Sequence, residues 1–228
     1  MWTIKNVSLK LIIAGAVSLG LSVGPAVTGN AFTHDKLKLP SGGSGGVNVD
    51  ELAGKQSGIV KSATAALINL TKSQAIMADA LGLKEQSALA EKTAKDLESG
   101  DLGGKDGLET AVTNAESVQK EINKITKEKK KLDEKSKIKF ATALPPYGKG
   151  VVGLISTTNR AVSVGQSAVS SPDLAVISKL GSLIFLARKA PSLVSTFKNS
   201  TTNLIAFSQE NKIPTDDLKK EIGSIGFS

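Results

Sequence analysis

The chain has no cysteine, one histidine, one tryptophan and one tyrosine. Without cysteine there is no disulfide, no thiolate metal site, no cysteine nucleophile and no lipid-modified lipoprotein cysteine. With His34 as the single histidine, neither an HExxH pattern nor a cluster of imidazole ligands exists, so no metal and no cofactor is expected. A Ser-His-Asp triad would have to draw its base from His34, which sits in a tether-like segment, and no motif supports a Ser-Lys pair. Carboxylates gather instead at helix starts (Asp50 and Glu51, Asp106 and Glu109, Asp216 and Asp217), where the helix dipole accounts for them without acid–base chemistry. Aromatic residues make up 4% of the chain, which leaves little for a sugar-stacking cleft or for base stacking, and this argues against nucleic acid. The absences together point to a protein that is not an enzyme.

Long apolar runs are also scarce, and the one near the amino terminus is diluted. Lys5 and Lys10 give a positive start, Leu11 to Val23 is an apolar core, and Pro25 breaks it. Gly29-Asn30-Ala31 then places small residues at the −3 and −1 positions of a cleavage site before Phe32. Residues 1–31 are therefore read as a secretory signal peptide. Gly15, Gly20, Gly24 and Pro25 weaken the rival reading of a membrane anchor, which needs about 20 mainly apolar residues. Export to a bacterial periplasm or exterior follows from this reading.

Residues 32–47 contain Pro40-Ser41-Gly42-Gly43-Ser44-Gly45-Gly46, a flexible tether by composition. No Gly-Lys-Ser/Thr ending follows, so it is not a phosphate-binding loop.

What the chain does have is helical periodicity. Leu108, Ala111, Ala115, Val118, Ile122, Ile125 and Leu132 recur at 3, 4, 3, 4, 3 and 7, a heptad stripe that predicts one long helix over about 105–141. Leu52, Gln56, Ile59, Ala63, Ala66, Leu70, Ser73, Met77 and Ala80 repeat the pattern and predict a helix over about 48–81, started by Asn48 and stopped by Gly82. A shorter helix spans 84–98. Pro145-Pro146 predicts a hinge or bundle corner, with a new helix from Gly150 to Val169. Ser171-Pro172-Asp173 marks a restart, Pro191 a kink or second restart, and the last main helix ends near Asn211. A short terminal helix follows Pro214. No strand pattern is present. The fold class is all-α: an elongated antiparallel bundle of five or six helices over 48–212, preceded by the signal peptide and tether and followed by a short helix and tail over 213–228.

Charge is uneven. The formal net charge is +8, or +6 once Lys5 and Lys10 leave with the signal peptide. Residues 47–119 hold seven basic against eleven acidic residues, whereas 120–139 hold nine against four. The nine are Lys120, Lys124, Lys127, Lys129, Lys130, Lys131, Lys135, Lys137 and Lys139. They form the candidate face for an anionic partner, although a solvated helix face is the commoner meaning of such a run. The most apolar segment after the signal peptide, Leu174 to Ala187, carries Leu174, Ile177, Leu180, Leu183, Ile184 and Phe185 as a candidate apolar ligand or membrane face. Its length suits a buried helix better than a membrane span. Gln56, Ser73 and Lys129 at seam positions point to polar contacts, including pairing with another subunit.

The functional expectation is an exported binding, adaptor or structural protein of the envelope or exterior, with a protein partner or self-association. The alternative is a lipid- or membrane-active protein that uses face 120–139 and an apolar hairpin over 150–187. Amino-terminal sequencing of exported protein is expected to begin at Phe32. An intact Met1 on membrane-bound material would replace the cleaved signal by an anchor.

Overall fold

A computed structural model describes residues 49–169 and 180–225. The signal peptide, the tether, Leu174, Ile177 and the Ser171-Pro172-Asp173 restart lie outside the described residues. Among those described, six α-helices and one 3-10 turn carry the fold, and no strand occurs. The all-α expectation holds. The helices are α1 (Val49–Ala80), α2 (Lys84–Ser99), α3 (Gly104–Lys127), α4 (Glu134–Val169), α5 (Gly181–Glu210) and α6 (Asp216–Ile222), followed by the turn Gly223–Ile225.

α1 packs on α2, α3, α4 and α5, and two buried rows explain how. The seam read from the sequence is buried from Ile59 to Ala80, and Leu67, Thr71, Gln74 and Ala78 form a second buried row beside it. Two adjacent stripes make a wide, mainly apolar buried face with Thr71, Ser73 and Gln74 within it, as a helix at the centre of a bundle requires. α1 ends in a Schellman arrangement. Gly82 takes a left-handed φ of 81°, Leu83 N–H donates to Ala78 O at 2.8 Å, and Gly82 N–H donates to Asp79 O at 3.0 Å. Glycine fits there because it has no Cβ to clash.

Three expectations about the helices are corrected. The long helix over 105–141 is two helices, because α3 stops at Lys127 and α4 starts at Glu134. Lys129 turns left-handed with φ 54°, and Leu132 reaches the core from an irregular segment, which preserves the heptad spacing without a helix. Clustered like charges weaken helix continuation here. Asp133 supplies the new start, since its Oδ1 accepts the Ser136 N–H at 2.7 Å.

Pro145-Pro146 is not a hinge. α4 runs through both prolines from Glu134 to Val169, and α5 likewise runs through Pro191. An interior proline costs about 3 kcal/mol or more. Burial of Phe140, Leu144, Val151 and Leu154, about 1.5–3 kcal/mol each, offsets two of them. The prolines are only half-buried and Thr142 is exposed, so this stretch of backbone lies toward water.

The third correction concerns direction. The helices at 48–81 and 105–141 were expected to run antiparallel. Because α2 returns the chain, α3 runs parallel to α1, with Gln74 beside Ala115 and Leu81 beside Lys130. The long antiparallel partner of α1 is α4. Its Gly150 sits opposite Leu70 and its Gly153 opposite Ala66; a Cβ on Gly150 would lie 2.7 Å from the Leu70 backbone nitrogen. α5 runs parallel to α3, since Glu116 meets Lys189 and Asn123 meets Ser200. α6 closes on α4 at Gly148, through Leu218 and Glu221.

The replacement Gly150→Ala is expected to destabilise the fold by about 1–3 kcal/mol through overpacking. Gly54→Ala, where an added Cβ meets nothing within 4 Å, should stabilise α1 by up to about 1 kcal/mol. Urea unfolding of the two variants gives the ranking, and an unharmed Gly150→Ala would contradict the close approach of α1 and α4.

Candidate functional site

The nine lysines of 120–139 divide into two groups once folded. Five are occupied by the fold itself. Lys130 Nζ donates to Leu81 O, at the carboxyl end of α1, at 2.9 Å. Lys131 Nζ donates to Glu210 O, at the carboxyl end of α5, at 2.9 Å, and Lys129 pairs with the Glu210 carboxylate at 3.1 Å. Lys137 pairs with Glu134 at 2.6 Å, and Lys139 with Asp79. A cation at a helix carboxyl end meets free carbonyls and the negative end of the dipole, so Lys130 and Lys131 act as caps.

Asn211 completes this corner. Its Oδ1 accepts the Leu132 N–H at 2.9 Å, and its Nδ2 donates to Phe207 O at 3.1 Å and Lys130 O at 3.3 Å. One buried amide thus ties the α3–α4 connection to the end of α5. Beside it, the Ser136 backbone and hydroxyl hold the Asp133 carboxyl below the usual carboxylate range. A depressed carboxyl contributes stability that is present above its unfolded pKa and is lost as pH falls through the folded one.

The other four lysines, Lys120, Lys124, Lys127 and Lys135, are exposed and have no ion pair among the described residues. Lys120, Lys124 and Lys127 are spaced i, i+4, i+7 along about 10 Å of α3. They border an open groove between α3 and α5 that also holds Glu116, Glu121, Asn123 and Thr196. Two further grooves are equally open. One, bordered by α1, α2 and Lys139 of α4, is bridged by the Lys72–Glu98 and Lys139–Asp79 ion pairs, with Lys95–Glu91 along its α2 side. The other, between α1 and α4, has Ile59, Val164 and Ile225 below Lys55 and Arg160.

The four apolar candidates among the described residues sit inside. Leu180 and Leu183 are fully buried, and Ile184 and Phe185 are nearly so. Leu183 N–H also donates to Gln56 Oε1 at 3.3 Å, which gives the polar seam residue Gln56 an internal role. Ser73, likewise buried, donates to Leu70 O, whereas Lys129 lies in the exposed turn and not on a seam. Among the described residues no helix is long and apolar enough to cross a membrane.

Sequence reasoning missed a polar layer within the core. Gln74 Nε2 donates to Ala115 O at 2.9 Å and to Gln119 Oε1 at 3.0 Å. Gln119 donates to Asn123, and Asn123 to Ser200 at 2.7 Å. Tyr147 on α4 brings its hydroxyl beside Ser200 and Thr201, and burial pushes its phenol above the ordinary range. Ser200 and Thr201 already donate to Thr196 O and Phe197 O, so they can only accept from Tyr147, and the geometry falls short of a hydrogen bond. Gln119 and Gln74 each stand one position off a heptad seam, and that offset was the available signal.

Chemically, this layer can order side chains by hydrogen bonding. Tyr147 is its one titratable member, and it is sealed from solvent. Among the described residues no group of three or more histidine, cysteine or carboxylate side chains could hold a metal ion. Compared with family models, curated proteins and solved structures, the chain matches none.

Asn211→Ala should lower stability by about 1–3 kcal/mol, because Leu132 N–H loses its acceptor in a buried place. Denaturant unfolding measures this, and an unchanged midpoint would show that the corner does not depend on the clamp.

Proposed function

We propose that this is an exported, non-enzymatic helical-bundle protein of a bacterial envelope or exterior, which binds an acidic partner protein through an outer helix face. The observation that carries the reading is the row Lys120, Lys124 and Lys127, exposed on α3 and without an ion pair among the described residues. A lysine that caps a helix end has its charge committed within the fold. An uncommitted row of three raises the local potential and attracts a negative surface. Asn123 and Thr196 between the lysines add polar groups to the same groove. The non-enzymatic part of the reading draws on the sealed position of Tyr147 and on the absence of buried carboxylates or lysines among the described residues.

The alternative, lipid activity through the hairpin over 150–187, requires the bundle to open. Val151, Leu154 and Ala161 from one arm and Leu183 and Leu186 from the other are fully buried. Val151, Leu154, Leu183 and Leu186 would each lose about 1.5–3 kcal/mol of burial before any membrane contact returned it.

Poly-glutamate serves as a stand-in for an acidic protein surface. Binding is expected at low salt and should fade as salt rises. The triple reversal of Lys120, Lys124 and Lys127 to Glu should weaken it at least about tenfold, or about 1.4 kcal/mol, with the thermal midpoint nearly unchanged. Equal binding by the triple variant would remove the α3 face from this role.

A further inference from the structure

The inward side of α4 carries Phe140, Ala143, Leu144, Tyr147 and Val151, all fully buried or nearly so. The opposite side carries a second row at helical spacing: Lys135, Ile138, Thr142, Pro145 and Lys149. Residues three and four apart lie on one helix face, so these five form one line. Lys135, Ile138, Thr142 and Lys149 are exposed and Pro145 is half-buried. Ile138 is 68% exposed, the one large apolar residue so placed among those described. A lone exposed aliphatic needs no explanation by itself. This one lies between two lysines, on a row that α6 meets at Lys149 through Glu221.

We propose that this outer row of α4 docks on an anionic lipid bilayer, with Ile138 and Pro145 entering the headgroup region and Lys135 and Lys149 reaching phosphates on either side. The proposal rests on the reading that the protein meets an anionic partner, and it names a second face and a second partner. Three observations favour a bilayer as the occupant. The two lysines stand about 21 Å apart along the axis, and a planar array of phosphates meets both at once. Their long aliphatic stems can lie along the surface while the ammonium groups stay in the polar layer. The apolar residues between them are few, which suits a helix lying in the interface plane and not one that spans it. Of the acids nearby, Glu134 pairs with Lys137, Asp79 with Lys139 and Glu221 loosely with Lys149 at 3.9 Å, and Asp133 attracts Lys135 from two residues away. These attractions lie at the exposed surface and are worth little, so Lys135 and Lys149 can exchange them for headgroup phosphates.

The absence of cysteine makes a site-specific test direct. A single Thr142→Cys in the full chain accepts an environment-sensitive fluorophore on the row while leaving Ile138 in place, and Thr110→Cys on exposed α3 is the control. Vesicles of phosphatidylglycerol and phosphatidylcholine should blue-shift the label at 142 and not that at 110. The shift should be absent with pure phosphatidylcholine and should reverse at high salt. Adding Lys135→Glu and Ile138→Ser to the labelled chain should weaken the interaction about tenfold and leave the circular dichroism unchanged. No shift at 142 with anionic vesicles, an equal shift with neutral ones, an equal shift at 110, or unaltered binding by the double variant would each overturn the proposal. If the 142 label stays unshifted while poly-glutamate still binds through α3, the acidic-partner reading stands and the bilayer is excluded.

Discussion

The approach of α4 to α1 is the contact on which the rest of the bundle depends. Gly150 lies against the backbone of Leu70 and Gly153 against Ala66, so the two helices meet at a spacing that side chains elsewhere would prevent. At that spacing the inward row of α4 reaches past α1. Phe140 meets Phe207 with ring centroids 5.4 Å apart, and the Tyr147 hydroxyl comes beside Ser200 and Thr201. The same placement leaves room at Gly148 for Leu218 and Glu221 of α6. A wider separation would loosen these contacts together, because α5 and α6 both take position from α4.

The corner at 128–133 shows how a charged run is divided between folding and surface. α1, α3 and α5 all end near it, since they run in one direction, and each end leaves carbonyls without helical donors. Lys130 and Lys131 supply donors to two of those ends, and Asn211 supplies both a donor and an acceptor to the connection. Reversing Lys129, Lys130 and Lys131 would therefore disturb the fold at this corner. The lysines of the run that cap no helix end and form no ion pair among the described residues lie outside this cluster, Lys120, Lys124 and Lys127 on α3 and Lys135 on α4.

Period and composition made the helices legible. The α1 seam, the Gly82 stop and the short terminal helix were readable because each rests on local chemistry: alternating spacing, a left-handed glycine, and acids after a proline. Two things were not local. The Pro145-Pro146 and Pro191 stretches stay helical because their flanks are buried against other helices, which propensity alone cannot register. The α3 break preserves the heptad phase, since Leu132 is buried whether or not the chain between is helical. The lysine run was visible, but its division into caps and free charges was not, because the acceptors at Leu81 and Glu210 lie 49 or more residues away in sequence.

The polar layer solves a problem that the seams create. Heptad stripes of Ala, Leu, Val and Ile look nearly alike after a shift of one repeat, so aliphatic packing alone specifies register weakly. Ala63, Ala66 and Ala80 on α1 and Ala111 and Ala115 on α3 are small residues that would tolerate such a slide. Gln74 does not tolerate it. Moving α1 by one heptad against α3 would leave its amide without Ala115 O and Gln119, and would leave Gln119 to find another donor inside the core. Asn123 binds Ser200 in the same way and fixes α3 against α5. An unmet buried amide group costs about 1–3 kcal/mol; the native register already leaves Gln74 Oε1 without a partner, and a slid one would lose the Nε2 contacts as well. Placing amides in the core lowers the maximum stability an all-aliphatic interior could reach, and in exchange it selects one alignment of the helices, the alignment that sets the outer lysines of α3 and α4 in their rows.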